Sequence, residues 1–292
     1  QLMWDWLDTK KNRWTPENYR KEVQSIKKHL LPKFGKRKFE EIKNLEWKVF
    51  FQKKQREEQI FNRLEKLLSY VRNAYDYAID HGLTKQRNPV LTLKKYLDKG
   101  ESENMKHVPI QEFPELLRKI RTYPSRETGI GLELLALMFP RPGELRMATW
   151  DQFDFELKIW RRPGQGLKGR KDHDIPLSPQ VIKLLHELKM ISERESRYLF
   201  PGRNTINKPI SARTFKLALE RLGYGDKQDP HGFRHIASTQ LNEVLSDKEQ
   251  VIESCLAHLK GGVSGTYNKG QHFRERIEVM NWWGKYIDSI IE

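Results

Sequence analysis

Near the C-terminal end of the chain, a histidine and a tyrosine stand nine residues apart in a segment rich in glycine, serine and lysine. The stretch reads SCLAHLKGGVSGTYNKG over residues 254–270, with His258 and Tyr267 on either side of the glycines. Most of the ten tyrosines have apolar neighbours at helical spacing and are expected in the core, whereas Tyr267 lies among Gly and Ser. A helix end with a buried aromatic is one interpretation. A nucleophile on a mobile tether is the other.

Three further basic residues occupy positions that packing alone does not explain. Arg141 follows the apolar run ETGIGLELLALMF after a single proline and precedes a Pro-Gly turn, where a bound anion would account for a long cation. In DPHGFRHIASTQLNE, His231 and Arg234 are three residues apart. They therefore share one face at the start of a helix, where free backbone N–H groups also favour an anion. An ordinary capped helix with a salt-bridged arginine is the structural alternative.

Metal chemistry has weaker support in the sequence. His231 and His235 have the spacing of two zinc ligands on a helix, but Gly232 stands where a metalloprotease helix has its glutamate base. Cys255 is the one cysteine, which excludes an internal disulfide framework and a multi-cysteine zinc site. We therefore expect no metal, and we expect His235 to be a core or supporting residue and Cys255 to be a small core residue.

Composition points to a globular, basic protein. The 292 residues are 37% hydrophobic and 32% charged, which suits one large domain or two of ordinary size. Since no run approaches the roughly 18 consecutive apolar residues of a membrane span and no signal peptide opens the chain, a soluble, cytoplasmic protein is expected.

The formal charge of +15 favours nucleic acid, an anionic membrane or acidic proteins as partners. Residues 1–100 hold 24 Lys+Arg against 13 Asp+Glu, a net charge of +11, so most of the excess lies in the N-terminal third. A merely solubilising surplus is the alternative.

The N-terminal third shows helical periodicity. Thr15 and Pro16 open the amphipathic run TPENYRKEVQSIKKHLLPKFG, and the run EEQIFNRLEKLLSYVRNAYDYAIDHG stops at Gly82, a C-cap residue. Residues 1–93 are therefore predicted to form a small helical bundle. The polar stretch 94–107 is predicted to be a linker.

Residues 108–292 combine helices with a small sheet, so the predicted fold class is mainly α, with an α+β C-terminal domain. WDQFDFELKIW and HDIPL are typical of antiparallel strands around the turn-rich GQGLKGRKD. Predicted N-caps of later helices are Ser178 before Pro179, Ser211, and Ser246 in a capping box with Glu249.

The basic residues and the tyrosine occur in an order that resembles the tyrosine recombinase (phage integrase) family. RPGEL, HGFRH, LAH and GTY resemble its motifs, with the usual nine residues between histidine and tyrosine. KGRKDHDIPLS is similar to the family hairpin, with Lys168 five residues before His173. RPGEL, HGFR and WWGKYID are most similar to integrases of satellite phages and genomic islands. The resemblance implies a core-DNA-binding domain over 1–93 and a catalytic domain over 108–292.

The resemblance implies a site-specific recombinase that cleaves and rejoins DNA through a 3′-phosphotyrosyl intermediate, for integration or excision of a mobile element, without cofactor or metal. A tyrosine with a pKa near 10 is a weak nucleophile, and arginines on the non-bridging oxygens supply the charge stabilisation that phosphoryl transfer needs. The implied roles are phosphate binding by Arg141 and Arg234, protonation of the departing 5′ oxygen by Lys168, proton transfer by His231, a phosphate hydrogen bond from His258 and nucleophilic attack by Tyr267.

Several positions have alternative interpretations. Lys158, Arg170 and Lys171 lie near Lys168 and could simply track phosphates. Glu144 resembles a family acidic position that orients Arg141, or it is a first-turn carboxylate favoured by the helix dipole. His173 supports the lysine hairpin or merely caps it.

The resemblance also implies partners. These are double-stranded DNA at core attachment sites, a homotetramer on DNA that is a monomer or weak dimer when free, a host DNA-bending protein and an excisionase, in a bacterial, nucleoid-associated setting.

The last helix either packs on its own domain or docks onto a neighbouring protomer as an exchange helix. Its predicted apolar face comprises Phe273, Ile277, Met280, Ile287 and Ile291; Tyr286 is expected to pack.

Similar integrases carry a further N-terminal, arm-binding domain, which here has been removed or is lacking. Two other functions stay open. A catalytically silent DNA-binding regulator is disfavoured by the intact set of six residues. A type IB topoisomerase-like DNA-relaxing enzyme is disfavoured by the short linker and the phage-like motifs.

Overall fold

A computed structural model describes residues 1–100, 105–164, 172–192, 195–257 and 272–292. The chain divides into two compact units, Gln1–Ser102 and Glu103–Glu292. Within the described ranges, no helix is both long enough and apolar enough to cross a bilayer. The predicted positions Lys168, His258 and Tyr267 lie outside the described residues.

The first unit is the predicted helical bundle. As predicted, the Thr15 hydroxyl accepts a hydrogen bond from the Asn18 backbone N–H at 3.3 Å, and Gly82 follows the long helix with a left-handed φ of 68°. Its core includes fully buried Phe51 and Leu67. Its helices are α1 (Leu2–Asp8), α2 (Pro16–His29), α3 (Leu31–Phe34), α4 (Asn44–Glu58) and α5 (Phe61–Asp80), with short 3-10 helices at Phe39–Glu41 and Leu93–Tyr96.

The two ends of the predicted linker, 94–107, are packed onto the units that they join. The Gln55 side chain exchanges two hydrogen bonds with the Asp98 backbone, at 2.9 and 3.2 Å, which holds that residue in the first unit. At the other end, the Asp229 N–H donates to the Lys106 carbonyl at 2.9 Å in the second unit. Backbone groups at each end of the predicted linker therefore have hydrogen-bond partners in the adjoining unit.

The second unit is mostly helical, with one three-stranded antiparallel sheet in the order β1-β2-β3, as predicted. In the sheet, Trp160 pairs with Phe153 and Ile175, and Arg162 pairs with His173. Its elements are α6 (Phe113–Arg121), α7 (Arg126–Met138), α8 (Pro142–Met147), β1 (Phe153–Asp154), β2 (Ile159–Arg162), β3 (His173–Pro176), α9 (Pro179–Ile191), α10 (Thr214–Arg221), α11 (Gly232–Val244), α12 (Glu249–Cys255) and α13 (Phe273–Ile291).

Helix α7 forms the centre of this unit, and α13 packs against it. Trp283 of α13 is fully buried and donates its indole N–H to the Ala136 carbonyl at 2.9 Å. Within this chain, therefore, the last helix packs on its own unit. Its buried face was predicted incorrectly in part, because Ile277 is exposed while Arg276 and Val279 are buried.

Two of the predicted caps are wrong. Ser178 accepts from the Val181 N–H at 3.5 Å and begins α9 as expected. The Ser211 hydroxyl, however, accepts a hydrogen bond from the Arg213 backbone N–H at 3.3 Å, and α10 begins only at Thr214. Residues 246–248 form a separate 3-10 turn without a side-chain cap. Serine hydroxyls bond neighbouring backbone groups in turns as readily as in caps, so the sequence pattern did not separate the two.

Candidate active site

The junction between α7 and α8 positions Arg141. Helix α7 ends at Met138 because Phe139 adopts a left-handed φ of 41° and Pro140 cannot continue the helix. The left-handed conformation of Phe139 costs about 1 kcal/mol, which its complete burial offsets. Arg141 then becomes the N-cap of α8, with its side chain 27% exposed. The end of α7 therefore leaves Arg141 accessible to solvent at the edge of a buried core.

Glu144, three residues later, holds Arg141 at two points. Its Oε2 accepts the Arg141 backbone N–H at 3.1 Å, and its Oε1 lies 3.3 Å from Arg141 Nη1. The carboxylate is buried. The two interpretations of Glu144 are therefore compatible, since one side chain caps the helix and orients the arginine.

Arg234 lies in the first turn of α11 and is buried. Its Nη1 donates to the Phe139 carbonyl at 3.0 Å, and its Nη2 donates to the Leu256 carbonyl. The guanidinium thus joins the ends of α7 and α12. Two of its five N–H donors are used in this way, and the plane of the guanidinium is fixed.

His231 is the N-cap of α11 and is half-buried, so the His231/Arg234 pair begins the helix as predicted. Gly232 is required between them, because a Cβ would lie 2.4 Å from the Lys106 carbonyl. His235 was predicted incorrectly as a core or supporting residue. It is exposed, and its ring lies 4.3 Å from that of His107.

Arg162 was not predicted from the sequence. It is the last residue of β2, with its side chain 5% exposed, and its Nη1 lies 3.3 Å from Glu144 Oε1. The alternation in IWRR places Trp160 and Arg162 on the same buried face. This alternation of buried and exposed side chains along the strand is the sequence signal that indicates a buried arginine.

Arg276 on α13 was also missed, and it contacts the start of β3. Its Nη2 donates to the Asp174 carbonyl and lies 3.3 Å from His173 Nε2. Because a guanidinium only donates, Nε2 of His173 is the acceptor in this contact, and the Cys255 backbone is a further hydrogen-bond partner of the ring. Cys255 is buried, as predicted. The helical spacing of Arg276 to Met280 and Trp283 indicated this buried face.

The charges around Arg234 leave a positive surplus. Burial, and then Arg141, lower the pKa of Arg234 to about 10; Arg162 acts in the same direction, whereas Glu144 and Glu253 oppose it. At neutral pH, Arg234 is still a cation. These five side chains therefore carry three positive and two negative charges, and an anion bound among them would be stabilised.

His173 responds to the same charges. Burial lowers its pKa to about 3, with Arg276 and Arg162 contributing, so it is neutral at physiological pH. It pairs with Arg162 across the sheet.

The structure thus brings together Arg141, Glu144 and Arg234, with His231 on the same helix as Arg234. The other predicted site residues, Lys168, His258 and Tyr267, fall outside the described ranges. Among the residues that the structure describes, no three His, Cys, Asp or Glu side chains are grouped to hold a metal ion.

Comparison with known proteins identifies the family. The model named "Phage integrase family" matches residues 106–272, and "Phage integrase, N-terminal SAM-like domain" matches residues 1–55. Prophage integrase IntZ of Escherichia coli (strain K12) is 32% identical over 288 residues, covering 98% of this chain and 70% of that protein.

Solved structures share the fold. The Tn1549 transposon integrase in complex with circular intermediate DNA has a TM-score of 0.71 at 14% identity, covering 92% of this chain and 94% of that one. A lambda integrase tetramer bound to a Holliday junction has a TM-score of 0.69 at 16% identity, covering 90% and 77%. The catalytic-domain match over more than half of the chain, together with the similarity to IntZ along nearly its whole length, shows that this chain belongs to the phage integrase family of tyrosine recombinases.

Proposed function

We propose that this chain is a site-specific recombinase that cleaves one DNA strand with Tyr267, holds it as a 3′-phosphotyrosyl ester and rejoins it to a new 5′ hydroxyl. The observation that carries this proposal is the arrangement of Arg141, Glu144 and Arg234. A partly exposed and a buried guanidinium lie near one carboxylate, with more positive than negative charge.

This arrangement suits an electrostatic mechanism at phosphorus. A phosphodiester carries one negative charge, and attack by a phenolate adds a second in the transition state. Arg234 keeps three N–H donors after its two bonds to carbonyls, and Arg141 adds a second guanidinium at the exposed edge. Donors fixed before the reaction stabilise developing charge without having to reorient.

The remaining roles come from the family motifs. Lys168 protonates the departing 5′ oxygen, His231 assists proton transfer, His258 donates to a phosphate oxygen, and Tyr267 forms the P–O bond as the 5′ O–P bond breaks. Because one phosphate ester replaces another, a 5′ hydroxyl from a second duplex reverses the step without ATP. Exchange of strands between two duplexes then proceeds through a Holliday junction.

We further propose duplex DNA at core attachment sites as the substrate, contacted by the basic bundle of residues 1–93 and by the catalytic domain of residues 108–292, joined by the linker 94–107. Two solved relatives support this, since the Tn1549 integrase is bound to circular intermediate DNA and the lambda integrase is a tetramer on a Holliday junction. We propose that this chain is a monomer or weak dimer when free and a tetramer on DNA, with a host DNA-bending protein and an excisionase as accessory partners. Light scattering that finds a stable tetramer without DNA would contradict the assembly proposal.

A suicide substrate tests the chemistry. A duplex nicked beside the cleavage site loses its short 5′-hydroxyl fragment on cleavage, so a covalent adduct accumulates and is resolved on a denaturing gel. We expect an adduct in EDTA with the wild-type chain and none with Tyr267→Phe, although both bind the duplex. Tyr286→Phe is the matched control, because Tyr286 stacks on Trp282 at 5.3 Å and should act only in packing. An adduct that persists in Tyr267→Phe would refute the assignment.

Strand exchange separates recombination from relaxation. We expect recombinant products from two duplexes that carry the attachment site. Relaxation of supercoiled DNA without any exchange would instead favour a topoisomerase.

A further inference from the structure

We propose that Arg162 is a positioning residue for the reaction: it shares the Glu144 carboxylate with Arg141 and thereby leaves the Arg141 guanidinium available to the scissile phosphate. This inference rests on the proposed function and adds a residue outside the six that the family motifs identify.

The position of Arg162 is unusual for a cation. It points to the buried face of β2, on the same side as Trp160, and lies opposite His173 in the sheet. An apolar side chain would fill such a position at lower cost, because a buried charge must be paired to be tolerated. Packing therefore does not account for an arginine here, whereas a specific charge interaction does.

The specific interaction is with Glu144. Its Oε1 lies 3.3 Å from Arg162 Nη1 and also 3.3 Å from Arg141 Nη1. An exclusive pair between a guanidinium and a carboxylate is shorter, about 2.7–2.9 Å. Oε1 is thus shared between two cations, and neither holds it as tightly as an exclusive partner would.

Sharing has a consequence for Arg141. Oε2 of Glu144 stays on the Arg141 backbone N–H at 3.1 Å, so the start of α8 is held independently of the side-chain contact. With Arg162 present, Glu144 attracts the Arg141 guanidinium less strongly, and its donors can turn to a phosphate. Without Arg162, a larger share of the carboxylate charge acts on Arg141, and we expect a tighter pair that competes with the phosphate.

The test measures the rate constant of adduct formation at saturating suicide substrate, which reports on the folded, DNA-bound protein. We expect Arg162→Met to lower this rate constant by about tenfold to a hundredfold, the range typical of a displaced catalytic group, with little change in duplex affinity. Arg161→Met is the matched control. Arg161 is the next residue on β2, exposed, and paired with Asp154 at 2.8 Å, and its substitution removes the same charge from the other face.

A second pair of variants tests whether Arg162 acts through Glu144. If it does, Glu144→Gln and the double variant Glu144→Gln/Arg162→Met should form adduct at the same rate within about twofold. The double variant also leaves no buried carboxylate without its partner. This comparison therefore applies even if Arg162→Met alone does not fold.

The outcomes separate the two proposals. No wild-type adduct would refute the proposed function. A wild-type adduct with an unchanged rate in Arg162→Met, or a further tenfold loss on adding Arg162→Met to Glu144→Gln, would overturn the role of Arg162 and leave the proposed function standing. A loss of active fraction without a change in rate constant would indicate a purely structural role.

Discussion

Replacing Arg234 by lysine keeps a cation in the candidate site but removes the two N–H donors that hold the guanidinium between two carbonyls. In the wild-type chain, Nη1 and Nη2 donate separately to the carbonyls of Phe139 and Leu256, which join the ends of α7 and α12. A single ammonium nitrogen cannot occupy both positions. One carbonyl therefore loses a charge-assisted hydrogen bond in a buried place.

The expected loss of stability follows from that one bond. A hydrogen bond to a charged group contributes about 1.5–3 kcal/mol, so we expect Arg234→Lys to lower the free energy of unfolding of the second unit by about 2 kcal/mol. Arg146→Lys is the matched control, because Arg146 is half-buried and bonds one carbonyl, that of Ile210, at 2.9 Å. A lysine can keep a single bond of this kind, so we expect the control to lose less than about 1 kcal/mol. Urea unfolding of both variants measures the difference.

The variant should also gain a pH dependence that the wild type lacks. The surroundings that lower the pKa of Arg234 to about 10 would also lower the pKa of a lysine at this position below its ordinary value of 10.4. Since the cation is the form that binds phosphate, the variant loses activity as the pH rises towards that lowered pKa, while the wild-type arginine stays charged.

The assay is the rate constant of adduct formation between pH 6.5 and 9.5, expressed as the ratio of variant to wild type so that ionisation of the tyrosine cancels. We expect a ratio of about one hundredth at pH 6.5, because the bidentate contact is lost, and a further fall towards pH 9.5. A ratio that stays flat up to pH 9.5, or stability losses that are equal in Arg234→Lys and Arg146→Lys, would refute the reasoning.

Two further predictions concern the scaffold of the second unit. The pKa of His173 is about 3 in the folded chain, below its ordinary 6.5, so its contribution to stability is present above pH 6.5 and is lost as the pH falls towards 3. We expect up to about 2 kcal/mol of loss at pH 5 relative to pH 7, measured by urea unfolding, and a smaller loss in His173→Gln. An added Cβ at Gly232 would lie 2.4 Å from the Lys106 carbonyl and 2.7 Å from Gln228 Nε2, so Gly232→Ala should destabilise by about 2 kcal/mol or more. Gly143→Ala, where nothing lies within 4 Å, should change the calorimetric stability by less than about 0.5 kcal/mol, and similar losses in the two variants would contradict the steric argument.

The fold was largely predictable because its elements carry local signals. Thr15 and Ser178 mark helix starts with a side-chain acceptor, and Gly82 supplies the left-handed residue that ends α5. Ser211 and Ser246 carry the same residue type without the same outcome, because the surrounding chain decides whether a serine bonds a turn or a helix. The prediction of helix caps failed at these serines because a turn and a helix start both use a local hydrogen bond from the same side chain.

Within the candidate site, the sequence motifs identified Arg141, Glu144 and Arg234 but not the groups that hold them. These three side chains lie near one another as the motifs imply, whereas the carbonyls of Phe139 and Leu256 that accept from Arg234 are revealed by no side-chain pattern. Arg162 and Arg276 approach from β2 and α13, far apart in sequence, so only the tertiary fold brings them to Glu144 and His173. Periodicity predicts that both arginines are buried, but it does not predict which groups they contact.

The place of Glu144 explains how the second unit can hold several arginines close together before a substrate arrives. Without this carboxylate, Arg141, Arg162 and Arg234 would repel one another in a partly buried site, and the pKa of Arg234, already about 10, would be lowered further. Glu144 reduces that repulsion but does not remove it. Its Oε1 lies 3.3 Å from Nη1 of both Arg141 and Arg162, and its Oε2 accepts the Arg141 backbone N–H. Glu253 also raises the pKa of Arg234, so these arginines and the two carboxylates carry a net charge of +1, which still favours a bound phosphodiester. A tighter pairing of Glu144 with the arginines would have favoured the folded state without DNA, at the expense of stabilising the transition state.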